Sequence, residues 1–92
     1  MPRTASAAAR YIGARLAEVR ADRAGITQDQ LAALTGIDSS NIRAYESGRA
    51  MPSIHTLVRI ATALDIAPGE LIDGLEPEAF GEPRRKRGRG AA

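Results

Sequence analysis

Residues 38–48 read "DSSNIRAYESG", and the placement of the polar side chains is unusual. Ser39, Ser40 and Asn41 crowd the front of a segment whose Ile42 and Tyr45 follow helical spacing. Ser and Asn compete for backbone hydrogen bonds, so they suit a helix front better than its interior. Short hydroxyls at such a front let the backbone come close to a partner, and they both donate and accept. Arg43 lies one turn further on. Its planar fork matches the O6 and N7 edge of guanine or the oxygens of a phosphate. The residues alone leave two readings open: capping-turn serines beside a solvated charge, or a surface that reads a groove.

Other chemistry is poorly supplied. His55 is the only histidine and cysteine is absent, so a His/Cys metal cluster and a His-based catalytic pair both lack their parts. His55 falls in the first turn of an expected helix, near solvent and without a catalytic partner motif. No phosphate-binding glycine loop or nucleophile–base set occurs, and the carboxylates from Asp65 to Glu82 read as a solvated acidic face. The expectation is a protein that is not an enzyme and uses no cofactor or metal. No apolar run approaches the ~18 residues of a membrane span. The N-terminal "MPRTASAAAR" lacks the apolar core of a signal peptide. A cytoplasmic protein, associated with the nucleoid, is expected.

Charge is distributed more tellingly than its formal net of +2 suggests. Residues 60–83 hold Asp65, Glu70, Asp73, Glu76, Glu78 and Glu82 with no base. Residues 84–92 hold Arg84, Arg85, Lys86, Arg87 and Arg89 with no acid. Lys86 is the only lysine; every other cationic side chain besides the histidine is arginine, the residue suited to phosphate forks. The basic tail has the make-up of a phosphate-binding arm. Its Arg87-Gly88-Arg89 is similar to the core of AT-hook peptides, without their flanking prolines, which would allow entry into an A·T-rich minor groove.

These groups need elements to position them. Ile12, Leu16, Val19 and Arg23 mark one helical face, started at Ser6 and stopped by Gly25. Thr27 with Gln30 makes a capping box for a second helix, whose apolar side is Leu31, Ala32 and Leu34 and whose end is Gly36. Asp38 caps a third helix through Tyr45 or Glu46, stopped by Gly48. Ser53 caps a fourth with the stripe Ile54, Leu57, Ile60, Ala61 and Leu64. Pro68 suits the first position of a short fifth helix carrying Leu71 and Ile72. No segment alternates with period two, so the fold class is all-α. The domain reading is a flexible arm or the start of the first helix over 1–9, a helical domain over 10–75, and an acidic-then-basic disordered tail over 76–92.

The stretch "TQDQLAALTGIDSSNIRAYESGRAMPSIHTLVRIATALDIAPGELI" resembles the Cro and phage-repressor (XRE-type) family of helix-turn-helix regulators. With the first helix the resemblance covers residues 10–75 and implies a compact five-helix lambda-repressor-like domain. It implies that Ser39, Ser40, Arg43 and Ala44 form the outward, base-contacting face of a recognition helix. Ala44 replaces the long polar residue common in relatives and offers only a methyl, suited to thymine. Ile37, Ile42 and Tyr45 become its buried side. Gln28, Asn41 and Arg49 are implied phosphate contacts, and Arg20 pairs with Glu46 to tie the first helix to the end of the third. Arg59 reads as a surface residue.

The expected function is that of a sequence-specific regulator of transcription, a repressor binding double-stranded DNA as a homodimer. Leu71, Ile72 and Leu75 are the expected dimer surface, and the tail bases Arg84, Arg85, Lys86, Arg87 and Arg89 the expected supplementary DNA contacts. Two alternatives stand beside it: an antitoxin-like protein that binds a toxin and regulates its own operon, and a non-specific nucleoid-type binder driven by the tail.

Overall fold

A computed structural model describes residues 6–82. Five α-helices and two short irregular helical turns form the domain, and no strand occurs among the described residues. Helix α1 (Ala7–Glu18) begins where Ser6 Oγ accepts the Ala9 N–H at 3.0 Å. It runs into a π-helical turn, Val19–Arg23, closed by the Ala24 N–H on the Val19 carbonyl at 2.8 Å. Nothing in the spacing of Ile12, Leu16 and Val19 signals that widening.

Helix α2 (Gln28–Thr35) has the complete capping box: Gln30 N–H donates to Thr27 Oγ1 at 3.0 Å, and Thr27 N–H to Gln30 Oε1 at 2.8 Å. It ends at Gly36, whose φ of 76° is left-handed. A side chain there would be strained, and this turn sets the angle to the next helix. Helix α3 (Ser39–Ser47) starts at the Asp38 cap and ends at Gly48. Helix α4 (Ile54–Leu64) starts at Ser53 and ends at Asp65, whose positive φ is one that Asp tolerates better than most residues. Helix α5 (Gly69–Ile72) is a single turn, and Pro68 stands just before it rather than at its first position.

The core is aliphatic. Ile12, Leu16, Val19, Leu31, Ile37, Ile42, Leu57, Ile60, Ala61, Leu64 and Leu71 form one buried cluster, flanked by half-buried Ile26, Tyr45, Ile66 and Leu75. Two residues assigned to apolar stripes lie outside it. Leu34 is 63% exposed and Ile54 is 74% exposed. Helical periodicity gives the side of a helix but not whether another element covers it, and Leu34 lies near the end of α2 and Ile54 at the start of α4. Leu71 is 1% exposed and anchors α5 in the core, which corrects its assignment to a dimer surface. Over 76–82 the expected disorder is replaced by a 3-10 turn, Pro77–Phe80, started by Pro77 and ended at Gly81.

Helices α1 and α3 cross at their backbones. A Cβ on Gly13 would lie 2.2 Å from the Tyr45 carbonyl oxygen and 2.8 Å from that of Glu46. At Gly48 (φ 81°) a Cβ would meet the Arg10 Cα at 3.0 Å, so this C-cap needs glycine for both space and conformation. Helix α5 is tied to α1 by Arg15 Nε, which donates to the Glu70 carbonyl at 2.9 Å, and by the Tyr11 hydroxyl on the Asp73 carbonyl.

Gly13→Ala tests the crossing. Alanine gains about 1 kcal/mol of helix propensity over glycine. The overlap with two backbone carbonyls costs about 3 kcal/mol, because α3 must shift as a unit. The expected net is a loss of about 2 kcal/mol, seen as a Tm lowered by roughly 10 °C in thermal melting. An unchanged or higher Tm would show that the two backbones are not in contact.

Candidate nucleic-acid interface

The two faces of α3 differ as its sequence suggests. Ile42 is fully buried and Tyr45 is half-buried against the core. Ser40, Asn41, Arg43 and Ser47 are exposed, while Ser39 and Ala44 are half-buried at the boundary. The helix is held by this packing rather than by the propensity of its polar front. Asp38 Oδ1 accepts both the Ser40 N–H and the Ser40 hydroxyl at 3.0 Å. The backbone bond first, and the hydroxyl second, lower the Asp38 pKa from its ordinary value. Ser40 is therefore partly a capping residue, and its hydroxyl keeps only its acceptor capacity for another partner.

Arg43 stands clear of the core. Its Nη2 lies 3.4 Å from Ser39 Oγ, and its Nη1 lies 3.8 Å from Asp29 Oδ1 in the first turn of α2. Arg49 follows α3, with its N–H on the Ala44 carbonyl at 3.0 Å and its Nε on Ser47 Oγ at 3.1 Å. Exposed Arg43 and Arg49 thus flank exposed Ser47.

Behind this face lies a cluster of charged and polar groups. Arg20 Nε and Nη2 fork onto Glu46 Oε2 and Oε1 at 2.5 and 3.0 Å, and Arg20 Nη1 donates to the Ile26 carbonyl at 2.7 Å. The side chains are only 14% and 7% exposed. The hydrogen bonds to Glu46 raise the Arg20 pKa above its already high ordinary value, against the opposing effect of burial. Gln28 joins through Nε2, which donates to Glu46 Oε1 at 2.9 Å. An amide nitrogen has two hydrogens, so one remains for an outside acceptor. The expected phosphate contact and the tie to Glu46 therefore share one group.

Helix α4 contributes as well. Arg59, expected to be a plain surface residue, donates through Nη2 to the Thr35 carbonyl at the end of α2. It thereby satisfies a C-terminal carbonyl of the helix that precedes the turn. Sequence spacing could not reveal this, because the two residues meet only when α4 packs on α2. His55 is exposed, as its helix position suggests. Among the described residues no group of His, Cys, Asp or Glu could hold a metal ion. The tail bases Arg84, Arg85, Lys86, Arg87 and Arg89 lie outside the described residues.

Ile72 and Leu75 line an open apolar cavity of about 500 Å³ with Met51, Ile54, Leu57 and Phe80. Met51, Ile54, Ile72 and Phe80 are each at least 39% exposed. The lone phenylalanine in an otherwise acidic stretch is the sequence signal for this patch.

A family model described as helix-turn-helix, HTH_3, matches residues 16–71. The chain belongs to this XRE-type helix-turn-helix family. Its members are transcriptional regulators and not enzymes. The uncharacterized HTH-type transcriptional regulator y4dJ of Sinorhizobium fredii is 29% identical over 72 residues, spanning 78% of this chain and 92% of that protein. The cryptic phage CTXphi transcriptional repressor RstR of Vibrio cholerae is 44% identical over 45 residues, 49% of this chain and 40% of that protein. Among solved structures, the restriction-modification controller protein C.AhdI of Aeromonas hydrophila is similar with a TM-score of 0.66 and 40% identity. That match covers 68% of this chain and 94% of that one. An HTH_3 family transcriptional regulator of Vibrio cholerae gives a TM-score of 0.68 at 29% identity, covering 74% of this chain and 38% of that one. No helix of the described residues is long and apolar enough to cross a membrane.

The buried cluster makes a direct prediction. Glu46→Ala strands the Arg20 guanidinium with one carbonyl partner and releases Gln28. The expected loss is about 3 kcal/mol, the low end for a broken buried pair because the Ile26 carbonyl stays in place. Arg20→Lys keeps the charge but not the fork and falls between Glu46→Ala and wild type in urea titration. Equal stability of all three proteins would mean that the cluster does not hold the helices together.

Proposed function

We propose that this member of the family represses transcription as a homodimer that reads a two-fold operator with α3 in the major groove. The coarser statement follows from family membership: the protein is a DNA-binding transcriptional regulator. Its relatives include a phage transcriptional repressor and a restriction-modification controller. The observation that carries the finer reading is the division of α3, with Ile42 wholly buried and Ser40, Asn41 and Arg43 facing outward on the same two turns.

In this reading Ser39, Ser40, Arg43 and Ala44 contact base edges. Arg43 forks onto a guanine, and the Ala44 methyl rests against a thymine. Gln28, through its remaining amide hydrogen, Asn41 and Arg49 contact phosphates and fix the register. The tail bases Arg84, Arg85, Lys86, Arg87 and Arg89 add counterion-releasing contacts, each contributing ~0.9 to the salt slope. The site of action is the cytoplasm, on the nucleoid.

A single short helix reads few base pairs, so two half-sites about 34 Å apart supply the rest of the selectivity. The apolar patch of Met51, Ile54, Ile72, Leu75 and Phe80 supports a dimer seam there; it keeps Ile72 and Leu75 of the expected surface and leaves out the buried Leu71.

Selection of DNA from a random pool by the full chain tests the reading. A palindromic consensus is expected, and Arg43→Ala is expected to lose ~1–3 kcal/mol at one matched pair per half-site. Equal affinity for selected and random DNA would exclude specific reading. For the seam, Ile54→Glu is expected to give a folded monomer in sedimentation, with operator affinity reduced about a hundredfold or more as two-site binding is lost. A dimer that survives the charge would place the seam elsewhere.

A further inference from the structure

We infer that Asp29 of α2 is a positioning residue for Arg43 and so contributes to the choice of operator from outside the reading helix. The inference rests on the reading of Arg43 as a base contact. The two terminal nitrogens of Arg43 are met from two different helices, Nη1 by Asp29 Oδ1 at 3.8 Å and Nη2 by Ser39 Oγ at 3.4 Å. A guanidinium is planar, so partners on both nitrogens restrict the plane in which its outward N–H groups point. The Arg43 side chain is 52% exposed, which leaves those outward donors for an acceptor pair such as guanine O6 and N7.

Asp38 Oδ1 accepts the Ser40 N–H and hydroxyl at 3.0 Å, and its charge acts on Arg43 with no ion pair between them. Glu46 is bound by Arg20 and Gln28. Asp29 is the acid that meets Arg43 directly.

A bland role for Asp29 is that of a first-turn acid, favourable beside the positive end of α2. The two roles separate on DNA. A carboxylate 81% exposed beside a polyanion opposes binding to any sequence. If it only serves α2, removing it improves affinity everywhere and changes no preference. If it orients Arg43, removing it weakens one preference while affinity for random DNA holds or rises.

The experiment uses the full chain as wild type, Asp29→Asn, Asp29→Glu, Arg43→Ala and the Asn/Ala double variant, with melting curves to confirm folding. Arg43→Ala first identifies the base pair whose preference it removes in selected DNA. Asp29→Asn is then expected to lower discrimination at that pair about fivefold or more, the lower end of what one bidentate contact provides. Discrimination elsewhere stays within about twofold, and the double variant behaves as Arg43→Ala, as coupled residues do. Asp29→Glu restores part of the preference. An Arg43→Ala effect combined with unchanged discrimination in Asp29→Asn overturns this inference alone. An Arg43→Ala protein that keeps every preference overturns the base-contact reading, and the inference with it.

Discussion

Arg20 reaches from the π-helical turn to Glu46 near the end of α3, takes the Ile26 carbonyl on the way, and shares Glu46 with Gln28 at the front of α2. Three segments therefore meet at one carboxylate with little solvent access. Apolar burial is non-directional and tolerates sliding. A bidentate fork does not, because both nitrogens must find both oxygens. Helix α3 could shift along α1 with small loss of aliphatic contact, but not with Glu46 held in this way. The close approach at Gly13 adds the matching steric limit, since the α1 and α3 backbones are already as near as they can come.

With α3 fixed from behind, its front need not contribute to holding the helix in place. Serines and an asparagine in the first turn are poor choices for a helix that must form by itself. Here Asp38 supplies the cap, Gly48 the stop, and Ile42 the buried anchor. The polar residues then cost little. The same economy shows in α2, where Gln28 is both a tie to Glu46 and a group at the helix front, and where Arg59 closes the far end.

The opposite requirement governs the end of the chain around α5. A single helical turn is too short to stand alone and depends on Leu71 in the core, with Arg15 and Tyr11 holding its carbonyls. Leu71 therefore has no surface to offer a partner. The residues beyond it, Ile72, Leu75 and Phe80, together with Met51 and Ile54 from before and within α4, make the exposed apolar patch. Acidic neighbours such as Asp73 and Glu78 surround it in the chain, keeping that region unlike the arginine-bearing front of α3.

The caps at Ser6, Thr27, Asp38 and Ser53, the stops at Gly36 and Gly48 and the split character of α3 are legible in the sequence, because capping and amphipathic spacing are local and depend on residues within a turn or two. The π-helical turn after α1 and the exact start of α5 are not. Thr27 with Gln30, Asp38 and Gly48 each act where they were expected to act. Resemblance supplied the Arg20–Glu46 pair, which no local rule connects across 26 positions. The tertiary structure alone decided which apolar residues are core and which are surface. Leu34 and Ile54 follow the helical period yet lie outside, and Leu71 lies inside, because burial depends on which neighbouring element covers a residue, not on its own spacing. It also decided that Asp29 faces Arg43 and that Arg59 closes α2. Those contacts join residues on separate helices, and their distance is set by packing angles that no single segment encodes.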